Sequence, residues 1–223
     1  MARRGVMGLL AVGVVSVLAG CGMMGHTYRY KLTVEVETPE GLRTGYAVRE
    51  VSWSPGVQIT AEADTASMTH RGEAAMVDLP NGQVLFALMS PDGQETPMLA
   101  FGSARQTAWS DGAVKVLEPP AQPEVVFGQS GYPRLVRFRE IADSKTVEKV
   151  DPANLAASFG PEYRLKRITT QIVSDGVTEK VRHRLKWLTE LGDSQLDGSR
   201  YHRTQSSEVS SHMNILDFAR SGM

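Results

Sequence analysis

Two histidine–glutamate pairs in this chain are spaced to do chemistry: His70 with Glu73, and Glu179 with His183. An imidazole and a carboxylate three or four positions apart on a helix share a face, and could hold a metal or pass a proton. The surrounding patterns argue against both. His70 and Glu73 fall in a stretch that reads as strand, where positions three apart point to opposite faces. Glu179 and His183 belong with Arg182, Lys186 and Glu190 to the charged side of an expected helix. Such mixed charges stabilise a solvated face by roughly 0.2–0.5 kcal/mol per pair. Gly128-Gln129-Ser130-Gly131 approaches a nucleophile elbow but lacks the residue between the serine and the second glycine. Asp193 to Gly198 holds two carboxylates without the ligand spacing of a calcium loop. No phosphate-cradling loop, zinc ligand set or dinucleotide fingerprint occurs, so neither a metal nor another cofactor is expected.

One reactive group stands apart from these pairs. Cys21 is the only cysteine, and it closes a segment with the grammar of an export signal. Arg3 and Arg4 give the positive start, Gly5 to Val17 the apolar run, and Leu18-Ala19-Gly20 the small-residue approach to Cys21. This arrangement resembles the lipobox of bacterial lipoproteins. The resemblance implies cleavage before Cys21, acyl chains on its thiol and new amino group, and a tether on the periplasmic side of a bacterial membrane. In that class an Asp after the cysteine favours the inner membrane, so Gly22 implies the outer one. A single acyl chain anchors only marginally and two or more anchor stably. The two or three chains that the class carries would make Cys21 sufficient by itself.

Two alternatives remain open for this segment. Gly5 to Gly25 is uncharged for 21 residues, long enough to span a bilayer as an uncleaved helix. Six glycines lie in it, however, and each costs roughly 0.8–1.0 kcal/mol against alanine in a helix interior. Plain secretion would leave Cys21 an ordinary residue.

Removing residues 1–20 takes away Arg3 and Arg4 and no acid, leaving 22 basic and 25 acidic side chains, a formal charge of −3. That balance excludes a nucleic-acid binder, which needs a basic excess. With 41% hydrophobic and 22% charged residues the chain reads as globular. An acylated Cys21 leaves no thiol for a disulfide, a metal site or a nucleophile.

The elements that would position any site are α+β: antiparallel β-hairpins with a few short helices. Tyr28, Tyr30, Leu32, Val34 and Val36 alternate with polar residues, the clearest strand in the chain. Thr38-Pro39-Glu40-Gly41 turns it into a second strand from Arg43 to Trp53. There the apolar phase of Tyr46 and Val48 breaks at Val51 and Trp53, which predicts a bulge. Ser54 to Thr69 reads as a polar connection. Pro80-Asn81-Gly82 joins Glu73–Leu79 and Gln83–Met89 as a second hairpin. A short helix is expected within 97–109, a strand at Val114–Leu117, and a break in the proline-rich stretch 118–123. Beyond it come strands at Val125–Phe127 and Leu135–Ile141, with Arg137 and Arg139 on the wet side. Asp151-Pro152 starts a helix through Phe159 that stops at Gly160, and Arg164–Val173 is a strand. A helix over 177–190 is expected to place Val177, Val181, Leu185, Leu188 and Leu191 on one apolar face. The expected organisation is a signal at 1–20, a lipidated exit at 21–26, a domain over 27–191 and a polar tail over 192–223. An apolar patch at Met213, Ile215, Leu216 and Phe218 docks that tail back.

The strongest charge feature lies between Arg164 and Lys186. Arg164, Lys166, Arg167, Lys180, Arg182, Arg184 and Lys186 stand against only Asp175 and Glu179. A basic surface near a membrane attracts anionic headgroups, so these seven are candidates for contact with lipid or another anionic envelope polymer. Alternatively, acids elsewhere, such as Glu140, Asp143 or Glu148, pack beside them. The stretches 28–41, 150–160 and 164–169 are similar to a group of bacterial envelope proteins that implies no activity. The expected role is non-catalytic, a lipid-anchored module that binds an envelope component or partner protein; a small envelope hydrolase with an unrecognised site is the alternative.

Overall fold

Among the described residues ten strands, all paired antiparallel, build the body: β1 (His26–Thr38), β2 (Gly41–Ser54), β3 (Ser67–Glu73), β4 (Ala75–Asp78), β5 (Val84–Ala87), β6 (Val125–Val126), β7 (Leu135–Phe138), β8 (Val147–Lys149), β9 (Arg164–Val173) and β10 (Ala219–Arg220). The computed structural model describes residues 26–54, 67–89, 125–126, 132–200 and 206–221. The strands form a six-stranded sheet, β10-β3-β2-β1-β9-β6, and a four-stranded sheet, β4-β5-β7-β8. The helical segments among the described residues are single turns, α1 (Ala156–Phe159), α2 (Val181–Arg184) and short 3-10 pieces. The fold is therefore largely sheet.

The alternation of β1 places its five apolar residues on one face, all buried. That face packs on the small sheet: Leu32, Val34, Ile168 and Ile172 meet Ala75, Val77, Leu85 and Leu135. The opposite face of the small sheet is buried as well. Phe86, Phe138 and Val136 pack against Val181, Leu185, Trp187, Leu196, Met213 and Phe218. Phe86, Phe138, Trp187 and Phe218 interlock with ring centroids 5.4–6.0 Å apart. Three layers result, and the middle sheet never meets water broadly. This is why β5 is apolar at all four positions instead of alternating.

The consecutive strands β3 and β4 link the two sheets. The chain leaves the large sheet after Glu73, bends at Ala74 and enters the small sheet at Ala75. At the bend the two sheets come close. A side chain at Gly45 of β2 would place its Cβ 1.7 Å from the Met76 carbonyl oxygen. The Arg49 side chain fills the opening beside it, 2% exposed, donating to the carbonyls of Glu73 (2.8 Å), Ala87 (2.9 Å) and Leu88 (3.2 Å). Those carbonyls belong to strand ends where the ladders separate, and one guanidinium satisfies all three.

Several expectations are corrected by this packing. The inward phase of β2 is Gly45, Ala47, Arg49 and Val51, not Tyr46 and Val48, and β1 and β2 pair without a register shift. The bulge lies between β1 and β9, at Glu35/Val36. The expected 177–190 helix is two separate turns, α2 and Lys186–Thr189, broken at Leu185 (φ −104°, ψ 83°). Val181, Leu185 and Leu188 are buried nonetheless, whereas Val177 and Leu191 are only half-buried. Asp151 closes a local turn through the Ala153 N–H, and it is Asn154 Oδ1 that accepts from the Ala157 N–H in the first turn of α1. Arg137 is not on a wet side: it bonds Glu148, Gln83 and the Ser158 carbonyl and lies over the Phe159 ring. β3 begins inside the expected polar connection. The Asn81-Gly82 hairpin forms as expected, with Gly82 at φ +79°. Cys21, the 97–109 helix, the strand at 114–117, the break at 118–123 and the Gly128–Gly131 stretch lie outside the described residues.

Candidate functional site

The outer face of the large sheet gathers most of the chemistry that the core does not consume. Its register sets Thr33 between Tyr46 and Thr169, Lys31 between Val48 and Gln171, and Glu35 between Thr44 and Arg167. At the β9 bulge both Lys166 and Arg167 reach Glu35, at 3.4 and 2.7 Å. The Glu35 side chain is 12% exposed, and its carboxyl is held below the ordinary range chiefly by the Arg167 hydrogen bond.

Tyr46 stands at the centre of this face, 44% exposed. Two ammonium groups converge on its ring: Lys180 Nζ at 4.5 Å and Lys31 Nζ at 6.0 Å from the centroid. Lys180 Nζ also lies 3.5 Å from the phenol oxygen. The segment that delivers Lys180 is fixed to β2, because Thr178 N–H donates to the Val48 carbonyl while Val48 N–H donates to Thr178 Oγ1. None of the ion pairs among the described residues involves Lys31 or Lys180. Arg29 on the same face is paired with Glu50 at 2.6 Å, and Arg164 stands opposite Glu37 in register. Arg29, Lys31, Arg164, Lys166, Arg167 and Lys180 thus share the face with Glu35, Glu37 and Glu50, an excess of cations in a chain of formal net charge −1.

The seven cations singled out from the sequence do not form one cluster. Arg164, Lys166, Arg167 and Lys180 belong to this face. Arg182 bonds Ser221 at 3.0 Å and Arg184 reaches Asp78 at 3.4 Å, while Lys186 is exposed in the turn after Leu185. Acids from distant strands do sit beside several of them, but they are Glu35 and Asp78; Glu148 instead pairs with Arg137 and Arg139. Neither Lys31 nor Tyr46 is legible as a site residue from the sequence, since Lys31 is one of many alternating cations and Tyr46 falls in the expected apolar phase of its strand.

Neither histidine–glutamate pair is brought together. His70 lies on the inner face opposite Val51, with Nε2 buried and unbonded, and burial followed by the Arg220 charge pushes its pKa down to about 4. Glu73 points the other way, 2% exposed, its Oε2 accepting the Val181 N–H at 2.6 Å. Glu179 pairs with Arg71 at 3.2 Å. Among the described residues no three His, Cys, Asp or Glu side chains come together to hold a metal. A cleft of about 200 Å³ runs between the β4–β5 turn and the end of β7, bringing Glu140 and Arg139 beside Phe86 and Phe138. Among the described residues no helix is long and apolar enough to cross a membrane. No family model, curated protein or solved structure matches the chain.

Proposed function

We propose that this chain is an envelope protein lipid-anchored through Cys21, on the periplasmic face of the outer membrane, and that its role is non-catalytic binding or assembly. The observation that carries the binding role is the outer sheet face, where two ammonium groups without carboxylate partners converge on an exposed phenol. Such a surface fits an anionic envelope component, lipid or polymer. Other charged side chains of the body are instead engaged in holding it together, as Arg49, Glu73 and Arg137 illustrate. The tether reading rests on the lipobox resemblance, and it accords with a body whose first strand begins only five positions past Cys21.

Growth with radiolabelled palmitate tests the anchor: label is expected in the wild type and absent from Cys21→Ala. Persistent label in that variant contradicts the reading. A photo-crosslinking residue at position 46 tests the face. Capture of lipid or another envelope component is expected there, and crosslinks no richer than from a residue at Lys145 count against it.

A further inference from the structure

We infer that the outer face of the large sheet lies on anionic lipid headgroups of the membrane to which the chain is tethered. The inference rests on the membrane tether, whether acyl chains on Cys21 or a retained apolar segment supply it, since both leave the chain at the bilayer surface before residue 26. Five extended residues reach at most about 18 Å, so β1 starts close to the surface. Lys31 follows five positions further, about 17 Å along the strand. A sheet leashed this tightly at one end has its faces within reach of headgroups.

The composition of the outer face decides which one turns down. The described structure exposes three large hydrophobic side chains, Leu42 (47%), Tyr46 (44%) and Leu216. Leu42 and Tyr46 lie on the same face of β2, opposite Glu37 and Thr33 in register. Exposed apolar and phenolic groups next to cations suit the boundary between headgroups and acyl chains, where Tyr is amphipathic and ammonium groups meet phosphate. Lys31 and Lys180 both approach the Tyr46 ring with no carboxylate to displace. A polymer of carboxylates would satisfy the lysines but would leave Leu42 and Tyr46 exposed, which favours lipid.

The test reconstitutes the full chain on vesicles of phosphatidylcholine alone, or mixed with phosphatidylglycerol. Flotation reports attachment. A water-soluble amine reagent, read by peptide mass spectrometry, reports the cover over each lysine, with Lys145 in the turn before β8 and Lys149 of β8 as internal references. On mixed vesicles Lys31 and Lys180 should react about fivefold more slowly than on neutral ones, and the protection should fade at high salt. Tyr46→Ser with Leu42→Ser should reduce it while the reference lysines stay unchanged. Equal reactivity on both vesicles in a chain that floats overturns the docking and leaves the tether standing. A chain that fails to float on either overturns the tether and the docking with it. Protection seen in intact cells but on neither vesicle assigns the face to a partner protein and also overturns the inference.

Discussion

At the scale of single residues, the most consequential side chain is Arg49. Its guanidinium is buried, and it satisfies three main-chain carbonyls at the point where two sheets diverge. Replacing it by Met should cost roughly 3–5 kcal/mol, because a buried acceptor left unpaired loses its water without compensation. Arg49→Lys should cost less, since one ammonium can still reach some of the oxygens. Denaturant unfolding of the three proteins would show this order; a stable Arg49→Met protein would mean the carbonyls find water. His70 makes a pH-dependent prediction. Its folded pKa of about 4 lies below the ordinary value of 6.5, so the unfolded chain takes up its proton first. The stability conferred by neutral His70 is complete above pH 6.5 and is lost as pH falls toward 4. In His70→Gln the unfolding midpoint should vary less steeply between those limits, and an unchanged slope would remove His70 as the cause.

At the scale of elements, register does what side-chain type alone does not. Gly45 follows the inward phase of β2 and meets the carbonyl of Met76 from the neighbouring layer. Gly45→Ala should therefore destabilise by about 3 kcal/mol or more, since backbone must shift to make room. Circular dichroism melting reads this directly, and a near-neutral variant would show that the sheets can separate there. The β9 bulge has the opposite value. One extra residue brings Lys166 and Arg167 to the same carboxylate, Glu35, and fixes the cationic end of the outer face. The break at Leu185 likewise lets Trp187 turn its indole N–H to the Ile141 carbonyl at 2.9 Å while Leu188 stays buried. A continuous helix from 177 to 190 would present one stripe, whereas two turns wrap the small sheet.

At the scale of the whole molecule, the segment after Gly192 is a third layer. Leu196, Met213 and Phe218 are buried, Ser210 and Ser211 with them, and β10 joins the edge of the large sheet beside β3. Phe218 is fully buried among Phe86, Phe138 and Trp187. Phe218→Ala should cost about 3–5 kcal/mol and expose the second core to a hydrophobic dye. A loss below about 1 kcal/mol would mean the layer is dispensable to the fold.

What the amino-acid order determined alone was local. β1 shows in its period of two, both hairpin turns in Pro39–Gly41 and Asn81-Gly82, the stop of α1 in Gly160, and the docking of Phe218 in an apolar patch within a polar stretch. Each is a signal carried by neighbouring residues, where steric preference and alternation act without help from distant chain. The buried guanidinium of Arg49, the exposure of Tyr46 and the convergence of Lys31 with Lys180 were decided only in three dimensions. A charged residue reads as wet and an aromatic one as buried until packing supplies carbonyls for the first and removes the neighbours of the second. Contacts between residues more than a hundred positions apart, such as Tyr46 with Lys180, leave no local trace.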